Sequence, residues 1–285
     1  MKKIFLAAAG ILFTVSIFAF ALKNPPKQSA TISYYLPPSP TTITTPAALS
    51  IPILVYHHIG SPPKNANSAT KSFFIEPEWF EKHLQYLQEN NFQTVHFSDV
   101  IAYFKDSKPL PIAAGKRPVI INFDDAYKSV FTTAYPLLKK YNMTATIFVP
   151  ANLIGHRAYL TWEQLQQLKD AGMEIGSHTL WHPYLTRSKK AREEIFESKK
   201  ILEEKFGTPI QVFAYPFGDF NNEIEKLAQE AGYDLARSFT QPRNPEENII
   251  TRENFFRLPV VRVWGNIGLE KWAAMRAPHT PLSPY

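Results

Sequence analysis

Four short apolar runs in this 285-residue chain end in polar residues of the types used in hydrolytic chemistry. Asp124 and Asp125 follow Ile120-Ile-Asn-Phe123, and His57 and His58 follow Ile53-Leu-Val-Tyr56. His178, with His182 four residues on, follows Glu174-Ile-Gly-Ser177, and Pro216-Phe-Gly218 closes Val212-Phe-Ala-Tyr215. On a continuing strand Asp124 and Asp125 would face opposite sides, whereas a turn at the strand end would bring both carboxylates to one mouth. The same pair could instead cap a following helix, because Asp is favoured at helix N-termini. His178 and His182 at i, i+4 would lie side by side on a helical turn, a spacing suited to two ligands on one ion. That spacing also occurs on surfaces and in cores that bind nothing. One Asp and two His would make a three-ligand site with open positions, the arrangement expected for metal-assisted hydrolysis. There is no cysteine, so any metal must be held by His, Asp or Glu, and no Cys nucleophile or disulfide framework exists.

The elements that must position these residues are legible as alternating patterns. Short, β-branched, apolar runs recur at 51–56, 118–123, 144–149, 173–176, 210–214 and 258–263. Near-continuous hydrophobicity over such short spans fits strands covered on both faces. Between them, 76–90 carries Phe80, Leu84 and Leu87 on one side, and 188–206 carries Ala191, Ile195, Leu202 and Phe206 on one stripe before Gly207 as a stop. Thr161 and Gln164 have the spacing of a capping box. The alternation predicts an α/β fold of parallel strands with crossover helices, a (β/α) barrel first and an open doubly wound sheet second. In either, the carboxyl ends of the strands share one mouth, where the four polar groups would converge. Neither GxGxxG nor a P-loop is present, so a nucleotide site lacks local support.

Composition bounds the rest. With 45% hydrophobic and 14% aromatic residues the chain can bury a large core, which excludes global disorder. The net charge of +6 is spread among interleaved acids, as on a solvated surface rather than a nucleic-acid-binding patch. Lys2 and Lys3 precede an uncharged apolar run, Ile4 to Leu22, about 28 Å long as a helix. Residues 1–22 therefore read as a signal peptide, with Ala19-Phe-Ala21 as a small-x-small cleavage pattern, or as a membrane anchor. Both put the remainder outside the cytoplasm, secreted or anchored at the cell surface. Residues 23–50, with Pro25, Pro26, Pro37, Pro38, Pro40 and Pro46 among Ser and Thr, read as an extended tether. The remaining 51–285 is close to the ~250 residues of one (β/α) barrel.

Asn122-Phe-Asp-Asp-Ala-Tyr127, Gly172-Met-Glu-Ile-Gly-Ser-His-Thr-Leu-Trp-His-Pro183 and Phe213-Ala-Tyr-Pro-Phe-Gly218 carry a family resemblance. Together they resemble the motifs of the polysaccharide deacetylases, which share the chitooligosaccharide-deacetylase homology domain and are also called carbohydrate esterase family 4. The opening, Ile51 to Ile59, is similar to that of the biofilm poly-N-acetylglucosamine deacetylases. The resemblance spans roughly 51 to 265. It implies a distorted, permuted (β/α) barrel and a metal-dependent hydrolase that removes N-acetyl groups from N-acetylglucosamine-containing polysaccharide at the cell surface. Residue by residue, it implies Asp124 as catalytic base, and Asp125, His178 and His182 as ligands of one divalent ion. Zinc is the first expectation for that ion, with cobalt, nickel or iron(II) as alternatives. It also implies His57 as general acid, its pKa near ~6.5, and the Phe217 N–H as an oxyanion donor. Tyr215, Pro216, Trp181 and Tyr127 adjoin the motifs and are expected along the substrate cleft; Trp79, Trp162 and Trp264 are weaker candidates for a sugar groove. The expected partners are an acetylated polysaccharide and, if the leader is uncut, a membrane; no nucleic acid is expected.

The chain departs from the family pattern in places. The usual His near the last strand is missing from Leu258 to Val263. The Arg that normally orients the base is Ala214, with Arg257 and Arg262 as candidate substitutes, although surface roles suit both. Ala126 stands where Gly is usual, which costs backbone freedom at positive φ. His58 is expected to face away from His57 as a packing residue. These departures keep two alternatives open: deacetylation of peptidoglycan or O-acetylated xylan, and a carbohydrate-binding relative with little turnover.

Overall fold

The apolar runs become the strands of one curled sheet in this computed structural model, which describes residues 48–241 and 249–263. They are β1 (Ile53–Tyr56), β2 (Phe92–Thr94), β3 (Arg117–Phe123), β4 (Thr146–Val149), β5 (Glu174–Ser177), β6 (Val212–Ala214), β7 (Leu235–Arg237) and β8 (Val261–Arg262). The principal helices between them are α1 (Pro77–Glu89), α2 (Phe97–Asp106), α3 (Tyr135–Lys140), α4 (Trp162–Asp170), α5 (Ala191–Phe206) and α6 (Asn222–Glu230). The strand order is β7-β6-β5-β4-β3-β1-β8, β2 also pairs with β3, and every pairing is parallel. Leu258, just before β8, bridges to Arg237 of β7, while β8 itself pairs with β1. The two edges are thus drawn together, and the sheet is a distorted (β/α) barrel rather than an open one.

Side-chain alternation sorts the sheet into two faces. Ile53, Val55, Ile120, Phe148, Val212 and Leu235 form the inner cluster, joined by Phe97, Val100 and Phe104 of α2. Leu54, Tyr56, Ile121, Phe123, Ile147, Phe213 and Ala236 belong to the outer cluster, packed under the other helices. Glu174, at the start of β5, accepts the N–H groups of Phe97 and Ser98 at 3.1 and 2.9 Å, which fixes α2 across that end of the barrel. Gly176 is required on the inner face, because a Cβ there would sit 2.5 Å from the Phe148 ring.

The expected helices form with the expected ends. Thr161 and Gln164 make the reciprocal capping box of α4, and Gly207 ends α5 in the left-handed conformation at φ 62. Leu49–Ser50, assigned by sequence to the tether, instead pairs antiparallel with Ile249–Ile250. The apolar leader, most of the tether, Trp264 and the C-terminal residues lie outside the described residues. Among the described residues no helix is long and apolar enough to cross a membrane.

Candidate active site

Period-two alternation delivers the chemistry. Residues two positions beyond the inner Val55, Asn122, Gly176 and Leu235 emerge at the strand ends as His57, Asp124, His178 and Arg237, all on the inner side. The ladder continues past the strands to seat them: Asp124 N–H donates to the Tyr56 carbonyl and His178 N–H to that of Val149, both at 2.9 Å. After Asp124 the chain turns sharply, with φ 67 at Asp125 and φ 52 at Ala126. This strained turn brings the second carboxylate to the mouth as well. The Leu160 N–H bonds the Ala126 carbonyl at 2.9 Å, and a bridge between Tyr127 and Tyr159 holds the loop in place.

Asp125, His178 and His182 each offer a ligand atom within 4.8 Å of the others. Asp125 Oδ1 lies 3.7 Å from His178 Nε2 and 3.3 Å from His182 Nε2. His178 Nδ1 is 2.7 Å from the Ala214 carbonyl; as donor there it leaves Nε2 bare toward the group. One carboxylate oxygen and two imidazole nitrogens form a donor set that suits zinc and related ions. The two His do not reach this arrangement on a helical turn. Residues 178–184 are an irregular loop with Thr179 and His182 at φ 69 and 61, and its bends, not helical spacing, place the rings 4.6 Å apart.

Asp124 sits beside this group, 3% exposed, with His57 Nε2 3.8 Å from its Oδ2. Its other oxygen pairs with Arg237, which is fully buried on β7 over the Phe148 ring. Arg237 therefore takes the place left by Ala214. Neither sequence candidate does: Arg257 pairs with Glu225 at 2.7 Å, and Arg262 lies at the cleft rim over Phe239. β7 gives little sequence signal because it is only three residues long and ends in a charge, although Arg237 shares the parity of Leu235. Burial lowers the Arg237 pKa to about 9, still above neutrality, so the guanidinium stays charged against the carboxylate.

Burial, and then the Arg237 charge, hold the His57 imidazole well below its ordinary pKa; His58 and His182 act in the same direction. The resting His57 is thus neutral rather than poised near 6.5. Burial likewise holds His178 well below its usual value, so its imidazole is neutral, the form that can bind a metal ion. Burial raises Asp125, opposed by His182 and the Tyr127 hydroxyl. His58 is a packing residue, as expected, although it also lines the cleft. Its ring lies between Phe74 at 4.1 Å and Tyr127 at 3.6 Å, and burial lowers its pKa from 6.5 to about 4. A base that is harder to protonate when folded gives stability that is present above pH 6.5 and lost as pH falls toward 4. Replacing His58 with Phe should keep the stack and lessen the fall of the melting temperature between pH 6.5 and 4, with His57 and His178 supplying the remainder; an unchanged slope would remove His58 as a contributor.

The cleft around these groups holds about 750 Å³. Tyr127, Trp181 and Phe217 line it, and Trp181 and Phe217 are half-exposed. Tyr215 and Pro216 do not: both are buried, and Tyr215, on the outer parity with Phe213, donates its hydroxyl to the Phe256 carbonyl at 3.1 Å. They support the turn from behind. Trp79 and Trp162 pack against the outer core. Phe217 adopts φ 57, and the following Gly218 is obligatory, since a Cβ would lie 2.7 Å from the Phe239 backbone nitrogen.

Residues 112–236 match the family described as polysaccharide deacetylase. YxkH of Bacillus subtilis (strain 168), which bears a polysaccharide deacetylase name, is 32% identical over 216 residues, 75% of this chain and 73% of its own. The chain belongs to the polysaccharide deacetylase family. This deacetylase is also 24% identical over 200 residues to the poly-beta-1,6-N-acetyl-D-glucosamine N-deacetylase of Staphylococcus aureus (strain MRSA252), covering 63% of this chain and 67% of that one. Among solved structures, the Streptococcus pyogenes deacetylase PplD, in complex with acetate, superposes with a TM-score of 0.70 at 28% identity. That match covers 81% of this deacetylase and 99% of PplD. Membership makes the chain a deacetylase of polysaccharide, and hence a hydrolase of acyl bonds.

Proposed function

We propose that this deacetylase is a metal-dependent enzyme removing N-acetyl groups from N-acetylglucosamine polymers at the cell surface. The observation that carries the proposal is the convergence of Asp125, His178 and His182 beside the buried Asp124–Arg237 pair and His57. A divalent ion, zinc by preference, held by those three residues would polarise the acetyl carbonyl and acidify a water. Asp124, held by Arg237, takes the proton from the attacking water. The Phe217 N–H receives the oxyanion as charge develops on the carbonyl oxygen. The departing nitrogen needs a proton, and the neutral His57 must first acquire one. Asp124 is its nearest source, with 3.8 Å between Oδ2 and Nε2. The proton taken from water thus passes through His57 to the amine, and Asp124 returns to its ionised form. Trp181 and Tyr127 would face the sugar ring, because aromatic side chains present an apolar face with a polar tip.

The poly-N-acetylglucosamine preference rests on the named Staphylococcus relative and on the strand-one His57. The extracytoplasmic placement rests on Lys2, Lys3 and the apolar run to Leu22. Acetate release from poly-β-1,6-N-acetylglucosamine, peptidoglycan and acetylated xylan tests the substrate assignment; the first should be the best substrate. Release from xylan alone would overturn the preference. On the best substrate, His57→Ala should lower kcat by about 10²–10⁴-fold with zinc content unchanged, and an active variant would return the acid role to another group. Fractionation of cells expressing the full chain should leave the protein outside the cytoplasm; a cytosolic pool would refute the leader assignment.

A further inference from the structure

The loop that carries both histidine ligands is strained and has few internal bonds. Thr179, a β-branched residue, sits at φ 69 and His182 at φ 61. Such conformations persist only where the surroundings over-determine them. Within the loop the His182 N–H bonds the Thr179 hydroxyl at 3.0 Å. The Thr179 and Leu180 carbonyls accept the N–H groups of Ala151 and Asn152. Two consecutive amides, Leu180 and Trp181, lie between the ligands and point at one atom. Both donate to Oε2 of Glu194 at 2.9 Å. Glu194 lies in the first turn of α5 and is only 6% exposed. Successive backbone N–H groups beside positive-φ residues form a concavity that binds an anion, and a carboxylate in that position makes charge-assisted bonds about twice as strong as neutral ones.

We infer that Glu194 is a positioning residue for the metal group: its carboxylate holds the loop 178–182 in the conformation that turns His178 Nε2 and His182 Nε2 toward Asp125. This rests on the proposed metal-binding role of those three residues. α5 is itself tied to β5 by the Ser177–Ser198 hydroxyl contact at 2.9 Å, so the carboxylate acts from a fixed support. Without it, two amides lose their acceptor and the strained loop can relax, moving both imidazoles together. Glu194 touches neither the metal ligand atoms nor the cleft, so its effect must appear in affinity for the ion.

The test is the zinc dissociation constant of the full chain, measured by competition with a fluorescent chelator. Glu194→Ala should weaken zinc binding roughly 10–100-fold, as loss of an outer support to a metal ligand does. Glu194→Gln keeps a carbonyl oxygen that can accept both amides and should stay within a few-fold of the parent. Leu202→Ala removes a fully buried side chain from the same helix, destabilises through a cavity, and should leave zinc affinity unchanged. Equal zinc affinity in the parent and Glu194→Ala, or an equal loss in Leu202→Ala, would overturn the inference while the metal reading stood. A parent chain that takes up no divalent ion would instead refute the metal reading, and the inference with it.

Discussion

Asp124→Asn should abolish nearly all turnover, lowering kcat by about 10²–10⁴-fold, while the protein still binds one zinc ion. The reduction is the scale of a positioned general base. Asn keeps the shape of the carboxylate but cannot take a proton at neutral pH. Metal retention follows from geometry, because the group that converges within 4.8 Å is made of Asp125, His178 and His182. The oxygens of Asp124 are otherwise engaged, one by Arg237 and the other facing His57. Steady-state kinetics with metal analysis of the same preparation checks both halves. Retention of more than a tenth of kcat, or loss of zinc with turnover, would move Asp124 out of the base role.

The second large effect is expected at Arg237. Arg237→Met removes the cation from a pair in which Arg237 is fully buried and Asp124 is 3% exposed. Breaking a buried pair from one side costs roughly 3–5 kcal/mol, because the remaining charge stays desolvated. For a domain of this size that lowers the melting temperature by roughly 6–20 °C. Turnover should fall as well, with zinc content unchanged, because the base loses the group that orients it. The combined Asp124→Asn and Arg237→Met variant leaves no unpaired charge and should regain most of the lost stability. Denaturant melts of the two single variants and the double variant measure the coupling directly. Additive losses would mean that the pair is not the interaction that matters.

The architecture was legible because buried parallel strands write themselves as short apolar runs, and six of the eight barrel strands did so. Where those runs stopped, His57, Asp124 and His178 were visible as polar residues at strand ends. What escaped had physical reasons. β7 holds only three residues and ends in an arginine, so its hydrophobic signal was too weak to register, and the partner of Asp124 went with it. Parity along that strand was the available clue: Arg237 is two residues from the inward Leu235. Parity also separates Tyr215 from the cleft, since it follows Phe213 to the outer side. The i, i+4 spacing of His178 and His182 suggested a helix that the chain does not form. Two left-handed residues and a bend bring the imidazoles together instead, and no local propensity encodes such a path. Glu194 falls on the buried stripe of α5 with Ala191, Ile195, Ser198 and Leu202, so a carboxylate on an apolar stripe was the available clue, but the amides it holds are identified only once α5 is folded against the loop.

The most direct test of the whole account is a zinc titration of chelator-stripped protein, followed by acetate release from poly-β-1,6-N-acetylglucosamine. Activity should be absent in the stripped protein, rise in proportion to added zinc and level off at one equivalent per chain. Undiminished acetate release from the stripped protein, or none at full zinc loading, would contradict a single ion held by Asp125, His178 and His182 as the seat of deacetylation.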